Sequence, residues 1–113
     1  MHFKLMLVGD DIYSQLDKFH EDKVENFNEA KWDWFEIGGR YSNSISILGR
    51  LMPCNSAIKR EISNLDEIDF FAFLKDGIWT ENDGSHLDWG EKMKQLKGEI
   101  GDAELITIID CHL

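Results

Sequence analysis

The residue types best suited to chemistry in this chain are concentrated in the stretch KWDWFEIGGRY, at positions 31–41. It combines aromatic rings, two carboxylates, a glycine pair and one arginine. Glycines remove side-chain bulk, so that a ligand or another backbone segment can come close. Arginine supplies a planar set of donors that fits a carboxylate or a phosphate. The stretch matches no catalytic motif, and it predicts a pocket for a planar or anionic group.

Alternation along a strand predicts which side chains would line this pocket, because successive residues point to opposite faces. Trp32, Trp34 and Glu36 would share one face and form an aromatic platform, and the residues between them would face the other way. In the alternative interpretation, the tryptophans pack under a helix and Arg40 pairs with Asp33 or Glu36. The predicted ligand-binding residues are Trp32, Trp34, Glu36, Gly38, Gly39, Arg40 and Tyr41.

The second candidate site consists of Asp110 and His112, which lie two residues apart. On a strand this spacing puts both side chains on the same face. A carboxylate and an imidazole could act as general base and orienting group, or as two metal ligands. A third ligand would have to come from elsewhere, such as His86, or His2 if the first and last strands pair. The alternative is an ordinary strand end that enters solvent.

The common catalytic patterns are absent from this sequence. It has no Ser-His-Asp order, phosphate-binding loop, paired CxxC motif or HExxH helix. The sequence therefore assigns no catalytic residue, no metal site and no cofactor. It favours a non-enzymatic protein and leaves enzymatic activity open.

Hydrophobic periodicity predicts the elements that must position these residues. Strands are expected at residues 2–8, 32–37, 40–48, 69–75, 78–80 and 105–111, with a loop at residues 20–30 and a bulge or sharp bend at Gly38-Gly39. Helices are expected at residues 12–19, after residue 55 with Ile58, Ile62 and Leu65 buried, and after residue 88. The local signals are an N-cap carboxylate at positions 9–11, a cap at Asn55 or Ser56, a hairpin turn at Asp76-Gly77 and a capping box of Asp88 with Glu91.

The predicted order of elements is β-α-β-β-α-β-β-α-β, with no internal repeat and no linker. A chain of 113 residues has no room for a second independent core, so we expect a single domain over residues 1–113. Helices alternate with strands, but hairpins are also present. The pattern predicts an α+β two-layer sandwich with a mixed or antiparallel sheet and helices on one face. A ferredoxin-like arrangement with an added hairpin is the topology that this order favours.

The net charge of −10 arises from 22 acidic and 12 basic residues. Such a surface repels nucleic acids and anionic membranes and suits a partner protein with a basic surface, although acidity could simply keep the protein soluble. No apolar stretch approaches the roughly 20 residues of a membrane span, and no basic region typical of a secretory signal is present. Cys54 and Cys111 suggest a reducing compartment. We therefore expect a cytoplasmic protein, and a homodimer is left open.

Four blocks of the sequence carry a resemblance. The first runs from HFK to GDD and includes the QL that follows, and the second is KWDW together with GGR. The third is KDGIW, and the fourth is the ending TIIDCH. In this order they resemble a family of small uncharacterised proteins from bacteriophages and prophage-bearing bacteria, and the resemblance covers nearly the whole chain. The chain differs from the family at Tyr41, where tryptophan is frequent. It also has a shorter stretch between Trp79 and Asp88, where a longer loop with aromatic and glycine residues is common.

The resemblance implies a function in disarming bacterial defence, because many phage proteins of that class are small, acidic binders. The first hypothesis is a counter-defence binder in the host cytoplasm, such as an anti-CRISPR-like inhibitor of a nucleic-acid-guided effector, whose acidic surface occupies a basic groove. The second is a protein that binds or sequesters a nucleotide-like ligand in the Trp/Gly-Gly-Arg cluster, with or without hydrolysis by Asp110 and His112. The third is a structural or regulatory phage protein with one protein partner.

Overall fold

The fold is that of a computed structural model, which describes residues 1–25 and 30–113. The part of the predicted loop at residues 26–29 lies outside the described residues. Single 3₁₀ turns lie at Gly39–Tyr41, Lys59–Glu61 and Leu65–Glu67. The regular elements are β1 (His2–Val8), α1 (Ile12–Asp17), β2 (Trp34–Ile37), β3 (Ser56–Ile58), β4 (Ala72–Lys75), β5 (Ile78–Glu81), α2 (Trp89–Gly98) and β6 (Leu105–His112).

The strands form one six-stranded mixed sheet, which confirms the predicted α+β class and mixed sheet. The order is β2-β6-β1-β4-β5, and β3 pairs with β6 on the same edge as β2. Strands β1 and β4 are parallel, and the other pairs are antiparallel. The expectation that the first and last strands are interior is confirmed, because each has a partner on both edges.

The two helices cover opposite faces of the sheet, which corrects the expectation of a two-layer sandwich with helices on one face. Leu5 and Leu7 of β1 share a core cluster with Leu16 of α1. Met6, which points to the other face, shares a second cluster with Leu96 of α2. The ferredoxin-like topology is also wrong. That topology separates its parallel strands by a third strand, whereas β1 and β4 are direct neighbours.

The largest differences from prediction lie between residues 40 and 65. The expected strand at 40–48 is a turn followed by isolated bridges, and the expected helix after residue 55 is the short strand β3 with two 3₁₀ turns. Asparagine side chains explain much of this path, because they bind the main chain and compete with regular structure. The Asn43 amide donates to Asn55 Oδ1 at 2.7 Å. The Ser46 amide donates to Asn64 Oδ1 at 2.9 Å.

Two of the four local turn and cap signals are confirmed, and the cap expected at Asn55 or Ser56 is wrong because a strand begins there. Asp76 and Gly77 both have positive φ angles and join β4 to β5 as a hairpin. Asp88 Oδ1 accepts the Glu91 amide at 3.1 Å and caps α2. The cap predicted before α1 is wrong, since Asp11 Oδ1 instead accepts from Gln15 Nε2 at 2.8 Å. No helix in the described part of the chain is long and apolar enough to cross a membrane.

Candidate functional site

The two sequence-predicted sites meet at one corner of the sheet. Antiparallel pairing on both edges of β6 sets His2, His112 and Trp34 side by side in one row across three strands. The next row on the same face contains Lys4, Asp110 and Glu36. We call these six residues the polar corner. They lie on the face that α2 covers farther along the strands.

Asp110 is the buried centre of the polar corner, with only 2% of its surface exposed. His2 Nδ1 donates to its Oδ1 at 2.8 Å, and the Arg40 amide donates to its Oδ2 at 3.0 Å. Burial acts to raise the pKa of Asp110, but the hydrogen bonds from Arg40 and His2 and the nearby positive charge outweigh it. The pKa therefore lies below its ordinary value, and the carboxylate is ionised at neutral pH.

The glycine pair permits this contact. Gly38 and Gly39 have φ angles of +76° and +51°, in the region that favours glycine, and they direct the chain into the turn at Arg40. A Cβ atom on Gly39 would lie 2.5 Å from Asp110 Cβ and 2.6 Å from its Oδ2. The predicted sharp bend is therefore confirmed, and its closest neighbour is a side chain of the second candidate site.

A second carboxylate–imidazole pair lies beside the first. His112 Nδ1 is 2.8 Å from Asp33 Oδ1. The rings of His2 and His112 meet edge to face, with centroids 5.1 Å apart. The edge-to-face contact of His2 with Trp34, at 6.1 Å, completes the aromatic part of the corner.

These hydrogen bonds fix the roles of the imidazole nitrogens. An ionised carboxylate only accepts, so Nδ1 of each histidine carries a proton and donates. Nε2 of each neutral ring then presents a lone pair. The Met1 amino group lies 3.2 Å from His112 Nε2, which marks where a polar atom can meet this ring. Met1 itself is 69% exposed.

A cleft of about 460 Å³ opens beside the polar corner, between β1 and the start of α2. His2, Lys4 and Tyr41 form one side. Lys4 Nζ bonds Asp69 at 2.9 Å and lies 5.3 Å from the centre of the Tyr41 ring. Burial, followed by the charge of Asp110, raises the pKa of Tyr41, so its hydroxyl stays protonated. The far side is aromatic, formed mainly by Phe70 and Trp89.

No protein-family model, curated protein or solved structure matches this chain. Within residues 1–25 and 30–113, no group of three or more His, Cys, Asp or Glu side chains is arranged to hold a metal ion.

The structure separates the predicted binding residues into two groups. Trp34, Glu36 and Arg40 are exposed at the polar corner, next to the half-buried Tyr41. Trp32 is 8% exposed and belongs to the core cluster with Phe35, so the expected platform of two tryptophans does not form. Its Nε1 donates to the Leu16 carbonyl at 2.8 Å. Alternation fails because regular strand begins only at Trp34, after a bend at Asp33.

The alternative interpretation of the arginine is also resolved. Arg40 was expected either to line a pocket or to pair with Asp33 or Glu36. Its guanidinium has no ion-pair partner in the part of the chain that the structure describes. Only its amide binds Asp110, so the side chain is free to meet a ligand.

Sequence reasoning missed three contributors to the site: Asp33 as the partner of His112, Lys4 as a cation of the cleft, and the aromatic wall at Phe70 and Trp89. A signal for Lys4 was present, because β1 and β6 are otherwise apolar on both faces. Their polar residues are His2 and Lys4 in β1, and Thr107, Asp110 and His112 in β6. Polar residues at one end of each strand would have indicated a shared corner once antiparallel pairing was assumed.

Proposed function

We propose that this protein binds a small nucleotide-like ligand, with a phosphate at the polar corner and an aromatic ring in the adjoining cleft. The observation that carries the proposal is the buried Asp110 carboxylate, which holds His2 and the Arg40 turn in place. Groups fixed in this way lose little freedom when a ligand binds. The donors around the corner are arranged before any ligand arrives.

The chemistry of the surrounding side chains supports this ligand class. The Arg40 guanidinium, which has no ion-pair partner among residues 1–25 and 30–113, suits a phosphate, and Lys4, which is paired with Asp69, adds a second cation at the cleft. The half-buried Trp89 and Tyr41 offer aromatic surface for a base, and Phe70 beside them is only 4% exposed. Residues 37–60 contain no Asp or Glu, although the whole chain has a net charge of −10. The corner therefore borders the stretch of chain that repels an anion least.

Titration of nucleoside monophosphates and dinucleotides by calorimetry tests this function. Arg40→Ala should weaken binding by about 10- to 150-fold, the equivalent of a hydrogen bond to a charged group. Because the Arg40 side chain makes no ion pair with any residue that the structure describes, the melting temperature should not change. Arg60→Ala, which removes an exposed arginine away from the corner, is the matched control. Equal affinity of parent and Arg40→Ala for every ligand would contradict the proposal.

A second candidate function, the counter-defence binder, is favoured by a different surface. Asp17, Glu21, Asp22 and Glu25 are all exposed, at the end of α1 and just after it. Such a group of carboxylates could compete with phosphates for a basic groove on a host nucleic-acid-guided effector. This candidate also draws on the resemblance to phage proteins, and it would act in the host cytoplasm without binding nucleic acid itself.

Surface plasmon resonance against a purified nucleic-acid-guided effector would test this second function. Changing the four carboxylates to their amides should slow association and flatten its salt dependence, with dissociation little changed. The same number of changes at Asp66, Glu67, Asp83 and Glu99, which are also exposed, provides the control. If the two variants associate at equal rates, the acidic residues serve only to keep the protein soluble.

A further inference from the structure

We infer that His2 and His112 are an acid–base pair that hydrolyses a phosphodiester bond, with Asp110 and Asp33 as their positioning residues. This inference rests on the proposed ligand site and adds a reaction to it. The ligand becomes a substrate in which one phosphate joins two groups.

The geometry of the two histidines carries the inference. Each Nδ1 is held by its own carboxylate at 2.8 Å, so each ring is fixed in one orientation and one tautomer. Within the described residues His2 Nε2 makes no hydrogen bond, and His112 Nε2 meets only the exposed Met1 amino group, at 3.2 Å, which a leaving oxygen would replace. The two rings are neighbours, with centroids 5.1 Å apart, so one phosphate lying across their exposed edges could meet His2 on the side of the attacking oxygen and His112 on the side of the leaving oxygen. A purely structural role would need only one carboxylate–imidazole pair, whereas this corner has two.

Burial argues for the same assignment. Asp110 is 2% exposed, whereas the His2 side chain it orients is 23% exposed and reaches the cleft. A buried carboxylate behind a solvent-facing imidazole stabilises the positive charge that forms when the ring takes a proton. Gly39 is required for this contact, because a Cβ there would overlap Asp110. His2 is therefore assigned as the base, and His112, whose side chain is 39% exposed, as the acid.

The reaction balances without a further reactant. His2 Nε2 takes a proton from a water molecule as the water oxygen forms a bond to phosphorus. The bond between phosphorus and the leaving oxygen breaks, and that oxygen takes a proton from His112 Nε2. The products are a phosphomonoester and an alcohol. Solvent then returns the proton from His2 to His112. Lys4 and Arg40 would stabilise the charge on the other phosphate oxygens.

Charge limits the substrate to small molecules. A net charge of −10 repels polyanions, so long RNA or DNA is disfavoured. A diester with one negative charge per linkage, such as a dinucleotide or cyclic dinucleotide, carries the least repulsion for a cleft of about 460 Å³. The substrate class is therefore a short phosphodiester with at least one base.

Two substrates with different leaving groups test the assignment. Thymidine 5′-(4-nitrophenyl phosphate) releases a nitrophenolate that needs no proton, whereas the dinucleotide TpT releases an alcohol that does. His112→Gln should slow TpT hydrolysis at least 100-fold and hydrolysis of the nitrophenyl ester less than 10-fold. His2→Gln should slow both at least 100-fold. Asp110→Asn should lower kcat with little change in KM, because it acts through His2. His20→Gln, outside both the corner and the cleft, is the matched control.

Binding and turnover are measured separately so that the two proposals can fail separately. TpT that binds the parent without hydrolysis would overturn the acid–base inference and leave the ligand site standing. Absence of both TpT binding and hydrolysis would overturn both. Equal losses with the two substrates for His112→Gln would also overturn its role as acid. Circular dichroism melts monitor folding, and the His112→Gln comparison stands alone if His2→Gln does not fold, because it compares two substrates on one variant.

Discussion

The Asp110 carboxylate has two partners that come from segments far apart in the chain, His2 at its start and the turn at Arg40. Because these hydrogen bonds hold its pKa below the ordinary value, the folded protein keeps Asp110 ionised at a pH where the unfolded chain would protonate it. The resulting stability is fully present above the ordinary pKa of about 4. It is lost as the pH falls through the lowered folded pKa.

Asp110→Asn should therefore destabilise the protein by about 1.5–3 kcal/mol at pH 7, the range for a hydrogen bond to a charged group. The difference from the parent should shrink below pH 4, as the parent carboxylate itself becomes protonated. Urea unfolding of both proteins from pH 7 to pH 3 measures this. Asp102→Asn removes the same charge from an exposed position and should have little effect at any pH. A parent–variant difference that is independent of pH would contradict the role given to the carboxylate.

Gly39 offers a second test of the same contact. Gly39→Ala should cost about 1–3 kcal/mol beyond the strain of its positive φ, because the new Cβ overlaps Asp110 and the turn must shift. Gly49→Ala is the matched control, since Gly49 also has a positive φ, of +76°, but no atom lies within 4 Å of the place that its new methyl group would occupy. Thermal unfolding of the two variants gives the difference. Equal losses of stability in the two variants would mean that backbone strain alone explains why position 39 requires glycine.

The tryptophans show why the location of a site could be predicted more reliably than the surroundings of its side chains. The composition of residues 31–41 correctly drew attention to a place where side chains of different chemistry meet. Which tryptophan is buried could not be read from spacing, because the bend at Asp33 interrupts the alternation. That bend depends on His112, which binds the Asp33 side chain and accepts its amide through the carbonyl at 2.8 Å. A contact across 79 residues leaves no local signal.

Elements with strong local signals were predicted well, and elements defined by distant partners were not. Strands β1 and β6, the Asp76-Gly77 hairpin and the capped helix α2 all have such signals. Strand β3 has three residues and exists because it continues the edge of β6 beyond β2. The side-chain bonds of Asn55 and Asn64 likewise join positions that only the folded chain brings together. For the same reason, the sequence could not show that the two candidate sites lie at one corner of the sheet.

Amide hydrogen exchange tests the arrangement of the strands. Leu5, Met6 and Leu7 in β1 and Ile106 to Ile109 in β6 are fully buried and paired on both edges, so their amides should exchange slowest. Among the described residues, strand β5 pairs on one edge only, and its outward amides should exchange much faster. Nuclear magnetic resonance in deuterated buffer resolves these groups. Fast exchange throughout β1 or β6 would contradict their interior position.

Charge is distributed unevenly over the molecule. Residues 37–60 carry Arg40, Arg50, Lys59 and Arg60 without any carboxylate, so the acidic excess lies in the rest of the chain. The carboxylates at Asp17, Glu21, Asp22 and Glu25 are close in sequence and exposed. Their mutual repulsion opposes folding at low salt, where screening is weak.

Replacing these four carboxylates by amides should stabilise the protein by about 1 kcal/mol at roughly 20 mM salt, and the gain should largely disappear at about 0.5 M salt, where screening is strong. Melting temperatures at the two salt concentrations measure the effect. Four amide substitutions at Asp66, Glu67, Asp83 and Glu99, of which only the first two are neighbours, provide the comparison. A gain that persists unchanged at high salt would show that something other than charge repulsion had been relieved.

The pairing of β1 with β6 has a consequence for how the protein is made. His2 and Asp110 are 108 positions apart, yet they belong to neighbouring strands at the middle of the sheet. During synthesis, β1 is produced early with apolar side chains on both faces, and one of its edges stays open until β6 emerges. Contacts of such long sequence separation slow folding, and unpaired apolar strands promote aggregation. Yields of soluble protein should therefore improve when chaperones are abundant.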